Sequence, residues 1–185
     1  LTFGSDPNAK VTKKSKSPLS FHPIALIFGL LSFVSYLVEG AVGDWSALYL
    51  FEDKGIVIEE AVMGVMLFNG TMCIGRLLGN RLGKHLTSKQ VVVGGYLLGS
   101  IAMGLIVFLP GHASMYTYLL LGISLAMIVP NLFSAMGEQN VIPMTQAVAT
   151  STMLGYMGIL MGPALIGFIA HGTSLTVAFI VLTIL

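Results

Sequence analysis

Long apolar runs separated by short polar segments dominate the chain. A helix needs roughly 20 apolar residues to cross a bilayer core about 30 Å thick, and five runs reach that length, while a sixth reaches about half of it. The loops between them are charged, basic or short, which is typical of successive helical hairpins. The pattern predicts membrane-spanning helices at residues 23–50, 61–82, 91–110, 115–136 and 146–170, and a shorter one at 174–185.

Composition supports this fold class, an all-α integral membrane bundle. Hydrophobic residues make up 55% of the chain and charged residues only 9%, whereas soluble domains carry about 25% charged residues. Cys73 is the one cysteine, so neither a disulfide framework nor a cysteine metal site is expected, and no cofactor is predicted. Residues 1–22 are polar, rich in Lys and Ser, and lack the features of a signal peptide. We interpret them as a cytoplasmic linker, and residues 23–185 as a transmembrane half-domain.

Positive charge falls on one side of the predicted bundle. Short cytoplasmic loops carry the excess of Lys and Arg, and eight of the nine such residues lie before the first run or around the second loop. The ninth, Lys54, lies among acids in the first loop, which we therefore place outside. This predicts a cytoplasmic amino end in the inner membrane, and clustering in two short segments argues against nucleic-acid binding. The eight cations are Lys10, Lys13, Lys14, Lys16, Arg76, Arg81, Lys84 and Lys89.

Two acids interrupt the first run. An ionisable side chain within lipid needs a partner, a water-filled cavity or a structural reason. Glu39 belongs to a polar stripe at helical spacing that we expect to face a cavity, where a lone carboxylate could carry protons or bind substrate. Asp44 lies about 140° further around the helix, either supporting a loosened helix end or lying among headgroups near an aromatic belt of Trp45 and Tyr49. The stripe comprises Ser32, Ser35, Tyr36, Glu39, Gly43 and Ser46.

Two asparagines are further candidates for the substrate pathway. Asn131 follows Pro130, which removes a backbone donor, and it shares a helical stripe with Ser124, Ser134 and other polar residues. Asn69 lies seven residues before Arg76. Each amide could bind a polar substrate, or it could bridge two helices with a hydrogen bond. Both interpretations stay open for both residues.

The fifth run carries glycines and a proline. Gly158 and Gly162 form a small-xxx-small pair, which permits close helix approach, and Pro163 follows directly. Such interruptions are also where transporters bend or bind, but packing is the favoured interpretation.

These residues together resemble the carboxy-terminal half of a major facilitator superfamily transporter. The segment from Gly75-Arg76 through Gly79 and Arg81 is similar to the Gly-and-Arg loop motif of that family, with Asn80 at its acidic position, and Gly158 to Gly167 resembles its glycine-proline helix motif. The stretch from Glu39 to Leu50 looks like that of a bacterial subgroup of undefined substrate. The resemblance implies two six-helix halves related by a pseudo-two-fold axis, so the missing amino-terminal half is the implied partner, and the chain is expected to be a piece of a longer protein.

The resemblance implies secondary transport of a small solute between the two halves by alternating access, with protons as the coupling ion and Glu39 as the titrating group. A six-helix channel or scaffold acting as an oligomer is the alternative. An enzyme is not expected, because the histidines sit singly at the ends of runs and no nucleophile, base and acid are grouped. They are His22, His85, His112 and His171.

Overall fold

The computed structural model describes the backbone of residues 19–82 and 86–185, and the side chains of all of these except residues 80–82. It confirms the predicted class, because the described chain is an all-α bundle without strands. Five spans among these described residues are long and apolar enough to cross a membrane. Most of the predicted linker, its four lysines, Lys84 and the side chain of Arg81 lie outside the described residues. The helices are α1 Pro23–Glu52, α2 Ile58–Leu82, α3 Ser88–Phe108, α4 Gly111–Tyr116, α5 Tyr118–Ala126, α6 Ile128–Glu138, α7 Met144–Gly172 and α8 Leu175–Ile184.

Short polar signals set where these helices begin. Thr87 precedes α3, and its hydroxyl accepts a hydrogen bond from the backbone N–H of Gln90. The side-chain oxygen of Gln90 accepts in turn from the backbone N–H of Thr87, so two otherwise unpaired donors are satisfied. Ser174 caps α8 in the same way by accepting from Val177 N–H. Between α1 and α2 the chain reverses through Gly55, whose φ of 68° favours glycine. These caps and turns hold the loops short.

The fourth predicted span is three helical segments and not one. Gly111–Glu138 crosses as a unit, but regular helix is interrupted at Thr117 and at Met127. The second break has a clear cause, because Pro130 has no N–H with which to bond the carbonyl of Ala126. The next donor, Asn131 N–H, reaches the Met127 carbonyl only at 3.4 Å. Proline therefore accounts for the interruption of regular helix at Met127.

Helices α1 and α7 make the most extensive contact in the bundle. They run parallel, and glycines on α7 lie directly against the backbone of α1. A Cβ at Gly158 would collide with the carbonyl oxygen of Phe33, and one at Gly162 would collide with that of Leu37. Small residues let helix backbones approach this closely without a hydrophobic driving force between them. The two glycines thus fix the separation of α1 and α7.

Pro163 contributes to the same contact. Its missing N–H leaves the carbonyl of Ile159 without its helical partner, and that oxygen faces Gly40 of α1, where a Cβ would lie only 2.8 Å away. The Trp45 indole Nε1 donates to the Pro163 carbonyl at 2.9 Å. Proline therefore frees the Ile159 carbonyl, against which α1 places Gly40, while the carbonyl of Pro163 accepts from the Trp45 indole.

The loop between α1 and α2 is tied to the ends of two other helices. Lys54 Nζ donates to the carbonyls of Val107 at 2.6 Å and Leu109 at 2.9 Å, where α3 ends and its last carbonyls lack helical partners. The Thr176 hydroxyl of α8 donates to Asp53 at 2.9 Å. Partial burial lowers the pKa of Lys54 below its ordinary value, and nearby Asp53 opposes that shift. A cation at a helix carboxyl end also complements the helix dipole.

Candidate functional site

Glu39 lies near the middle of the membrane section of α1. It follows Pro23 by 16 residues and precedes Glu52 by 13, which places it about 24 Å and 20 Å from the two helix ends at 1.5 Å per residue. The carboxylate side chain is 23% exposed. Glu39 therefore reaches the surface of the bundle at mid-depth, where an unpaired charge is costly.

The structure gives this acid a partner. Arg76 Nη2 donates to Glu39 Oε2 at 3.3 Å and to Oε1 at 3.4 Å. Helices α1 and α2 are antiparallel, and helical side chains lean toward the amino end of their own helix, so the two side chains converge from opposite directions. The expectation of a lone carboxylate is wrong. A guanidinium accompanies Glu39 and compensates its charge.

Two tyrosines flank the ion pair. Tyr36 precedes Glu39 by three residues on α1, and its ring stacks on that of Tyr156 from α7, with centroids 6.3 Å apart and planes 8° apart. That separation is within the usual range for offset aromatic pairs. Tyr36 lies one turn from Glu39 on α1, Glu39 pairs with Arg76 and Tyr36 stacks on Tyr156, so the four side chains form one group. We call Tyr36, Glu39, Arg76 and Tyr156 the midplane cluster.

The midplane cluster is open to the surroundings of the chain. Arg76 is 44% exposed along its side chain and Tyr156 is 63% exposed. Charged groups within membranes face protein or water, since contact with lipid tails costs several kcal/mol. The surface that carries the midplane cluster therefore meets a water-filled cavity or another part of the protein, while purely apolar surfaces of the bundle can meet lipid.

The residues of the polar stripe predicted on α1 do not all lie on one outward face. Ser32 bonds Ser151 of α7 at 2.6 Å, and Ser35 bonds the hydroxyl of Tyr96 of α3 at 2.7 Å. Both serines and Ser46 are buried. The hydroxyls of Ser32 and Ser35 bridge helices inside the bundle, because a stripe wide enough to include six residues touches neighbours on both sides. The part of the stripe formed by Tyr36, Glu39 and Gly43 opens outward.

Asp44 lies apart from the midplane cluster. It is exposed and makes no hydrogen bond or ion pair to any residue in the described part of the chain. Five residues separate it from Glu39, so it points about 140° away around α1. The adjacent Trp45 turns inward to α7. The structure does not bring Glu39 and Asp44 together.

The two asparagines both bond to their own helices. Asn69 Nδ2 donates to the Val65 carbonyl at 3.0 Å, and Asn131 Nδ2 donates to the Met127 carbonyl at 2.8 Å. Neither amide bridges two helices within the described residues. Asn69 is exposed and lies two helical turns before Arg76, on nearly the same face of α2. Asn131 follows Pro130 in α6, a helix that contributes no residue to the midplane cluster.

The segment predicted as a loop motif is mainly helical. Gly75, Arg76 and Gly79 lie within α2, which continues to Leu82. A Cβ at Gly75 would lie 2.6 Å from Cβ of Ala126, and one at Gly79 would lie 2.6 Å from Sδ of Met127. Both glycines therefore let α2 pack against the break between α5 and α6. Arg76 points to Glu39 from this helix, whereas the structure does not describe the side chain of Arg81.

Sequence reasoning missed two features of this site. Tyr156 did not stand out, because a tyrosine among glycines and methionines on α7 has no distinctive spacing. The pairing of Arg76 with Glu39 joins residues 37 positions apart, so no local pattern reports it. An arginine six residues inside the predicted end of a span was the available signal, since such a residue requires a partner.

The fold and the site define a multi-pass membrane protein with a charged and aromatic group at mid-depth. Comparison with known proteins identifies the family to which this membrane protein belongs. The chain is 42% identical over 157 residues to an uncharacterized MFS-type transporter of Yersinia pestis, covering 83% of this chain and 40% of that protein. It is 31% identical to the membrane protein MosC of Rhizobium meliloti over 151 residues, which is 81% of this chain and 37% of MosC.

A third relative, an uncharacterized transporter of Sinorhizobium fredii, is 28% identical over 159 residues, covering 84% of this chain and 41% of the relative. The chain belongs to the major facilitator superfamily of membrane transporters, as the sequence resemblance predicted. It spans about 40% of the length of the curated relatives it matches. No family model matches the chain. No solved structure matches it.

Proposed function

We propose that the chain forms the carboxy-terminal half of a secondary transporter that moves a small solute across the inner membrane by alternating access. The observation that carries this proposal is the midplane cluster, because transporters bind substrate near the bilayer midplane at the contact between two repeats. An ion pair exposed at that depth is tolerated if it faces a cavity shared with the amino-terminal half. The amino end of α1 is then cytoplasmic, and the loop that carries Lys54 is external.

Proton coupling follows from the same ion pair. Protonation of Glu39 removes the charge that attracts Arg76, so the guanidinium is released and α1 and α2 lose a connection. A proton and the arginine thus compete for one carboxylate, and the ligand can favour one outcome over the other. Among the described residues, Arg76 of α2 bonds this carboxylate. Tyr36 lies one turn before Glu39 on α1 and stacks on Tyr156 of α7.

Thiol labelling tests whether the surface lines an alternating cavity. Cys73 is exposed and lies three residues before Arg76 on α2. We expect a membrane-impermeant maleimide to label Cys73 in the complete protein, with its other cysteines replaced, from either side of sealed vesicles of known orientation. Labelling that changes sides with pH or ligand supports alternating access. Absence of labelling from both sides, with labelling restored in detergent, would show that this surface is shielded and would overturn the proposal.

Transport by the complete protein tests proton coupling. Glu39→Gln keeps the shape of the side chain but cannot lose or gain the proton, so we expect uptake driven by a pH gradient to be lost while the variant still folds. Glu52→Gln is the matched control, because it makes the same change in the same helix 13 residues away. Gradient-driven uptake that is unaltered by Glu39→Gln would remove Glu39 from the coupling mechanism.

A further inference from the structure

The midplane cluster carries both signs of charge at one place. Glu39 and Arg76 are partners, so their charges cancel and the pair has no net charge. A ligand that is only a cation would attract Glu39 but would leave Arg76 with a like charge beside it. A ligand that is only an anion would do the reverse. In a membrane interior, leaving either charge without its counter-charge is strongly unfavourable.

The ion pair also has hydrogen-bond donors and acceptors that the described residues leave unused. One guanidinium nitrogen, Nη2, makes both contacts with Glu39, at 3.3 and 3.4 Å, whereas strong charge-assisted bonds are about 2.7–2.9 Å long. Arginine has five N–H donors, and each carboxylate oxygen has two acceptor sites. In the described part of the chain, no other protein group bonds the Arg76 guanidinium or the Glu39 carboxylate. The pair is therefore open to a ligand that supplies both an acceptor and a donor.

An aromatic surface adjoins the two charges. The stacked rings of Tyr36 and Tyr156 present a face beside Glu39, and Tyr156 is largely exposed. Met153, one turn before Tyr156 on the same face of α7, is 50% exposed. Methionine next to aromatic rings makes an adaptable apolar surface. An apolar or aromatic group attached to the charged part of a ligand would pack here.

We propose that the midplane cluster binds small zwitterions that carry an aromatic or apolar group. The carboxylate of the ligand accepts from Arg76, its ammonium donates to Glu39, and its apolar group packs against Tyr36 and Tyr156. Each protein charge keeps a counter-charge, so binding adds partners without stranding either one. This inference rests on the proposed transport function, since it assumes that the midplane cluster faces the substrate cavity.

Three matched probes test the charge requirement. Phenylalanine is the zwitterion, phenethylamine lacks its carboxylate, and 3-phenylpropionate lacks its ammonium. We expect the complete protein in detergent to bind phenylalanine at least about tenfold more tightly than either single-charge probe, measured by calorimetry or by thermal shift. Equal binding of phenylalanine and one of the other two, or a preference for a single-charge probe, would overturn the inference.

Variants give the sharper result, because each single change leaves one charge. Arg76→Gln should shift the preference to phenethylamine, and Glu39→Gln should shift it to 3-phenylpropionate. An ion pair that only holds α1 to α2 would instead lower thermal stability in both variants with no change in ligand preference, and this outcome contradicts the proposal. Glu52→Gln is the control that should keep the wild-type preference. If a single variant does not fold, the double exchange Glu39→Arg with Arg76→Glu keeps the pair, and it must still prefer phenylalanine over both single-charge probes.

The aromatic part of the proposal has its own control. Tyr156→Ala should weaken phenylalanine binding several-fold, whereas Phe168→Ala, which removes another exposed ring from α7, should not. Failure of the two proposals is distinguishable. If Cys73 is labelled from both sides but no zwitterion is preferred, the transport function stands and the zwitterion inference falls. If Cys73 is shielded from water on both sides, the transport function falls, whatever the probes show.

Discussion

The contact between α1 and α7 gives the most direct test of the packing in this bundle. At Gly158, an added Cβ would collide with the Phe33 carbonyl oxygen and lie 3.0 Å from its carbonyl carbon and 3.1 Å from its Cα. These are backbone atoms, so no change of rotamer relieves the overlap. The helices must separate. Gly158→Ala is therefore the change that reports most clearly on whether α1 and α7 lie as close as described.

The expected cost follows from two opposing effects. Overpacking costs about 1–3 kcal/mol, and the rigid backbone at Phe33 favours the upper end, because moving α1 by roughly 1 Å forfeits a quarter to a half of each dispersion contact. Alanine recovers about 1 kcal/mol of helix propensity over glycine. We therefore expect Gly158→Ala to lower the free energy of unfolding by about 2 kcal/mol, or the apparent Tm by roughly 4–8 °C for a domain of this size.

The assay is thermal unfolding of the purified complete protein in detergent, followed by intrinsic fluorescence. Gly94→Ala is the matched control, since it makes the same change in α3 at a position where a Cβ would meet nothing within 4 Å. That variant should be unchanged or up to about 1 kcal/mol more stable. Equal stability of the Gly158 and Gly94 variants would refute the close approach of α1 and α7.

Three further predictions concern the side-chain hydrogen-bond donors Lys54 and Trp45. Lys54→Met removes the donor to the carbonyls of Val107 and Leu109 and should destabilise the protein by about 1–2 kcal/mol in the same assay; full stability of this variant would exclude the cap. Because burial lowers the pKa of Lys54 from 10.5, the unfolded state holds that proton more tightly, so the stability of the wild type relative to Lys54→Met should rise as the pH approaches 10.5, and a fall over that window would contradict the shift. Trp45→Phe keeps the ring but loses the donor to the Pro163 carbonyl, which should cost about 0.5–1.5 kcal/mol, whereas no loss in thermal unfolding would indicate that the bond contributes nothing.

The sequence by itself determined the class of fold and the family. Apolar runs of sufficient length must be helical in a membrane, since each helix satisfies its own backbone hydrogen bonds, and this inference needs no knowledge of the neighbours. The position of Glu39 at mid-depth also follows from counting along one run. Pro130 indicated a missing backbone donor in the fourth run, but the sequence did not predict that this span divides at Thr117 and Met127.

Only the tertiary structure decided what Glu39 faces. Whether a carboxylate on a helix is alone or paired depends on the rotation and register of the next helix, and Arg76 reaches it from α2 across 37 residues of chain. The same is true of Tyr156, which meets Tyr36 because glycines let α7 run close beside α1. Periodicity reports which side chains share a face of one helix. Contacts between helices arise from close packing, which depends on the shapes of both surfaces at once, and no pattern along a single segment contains that information.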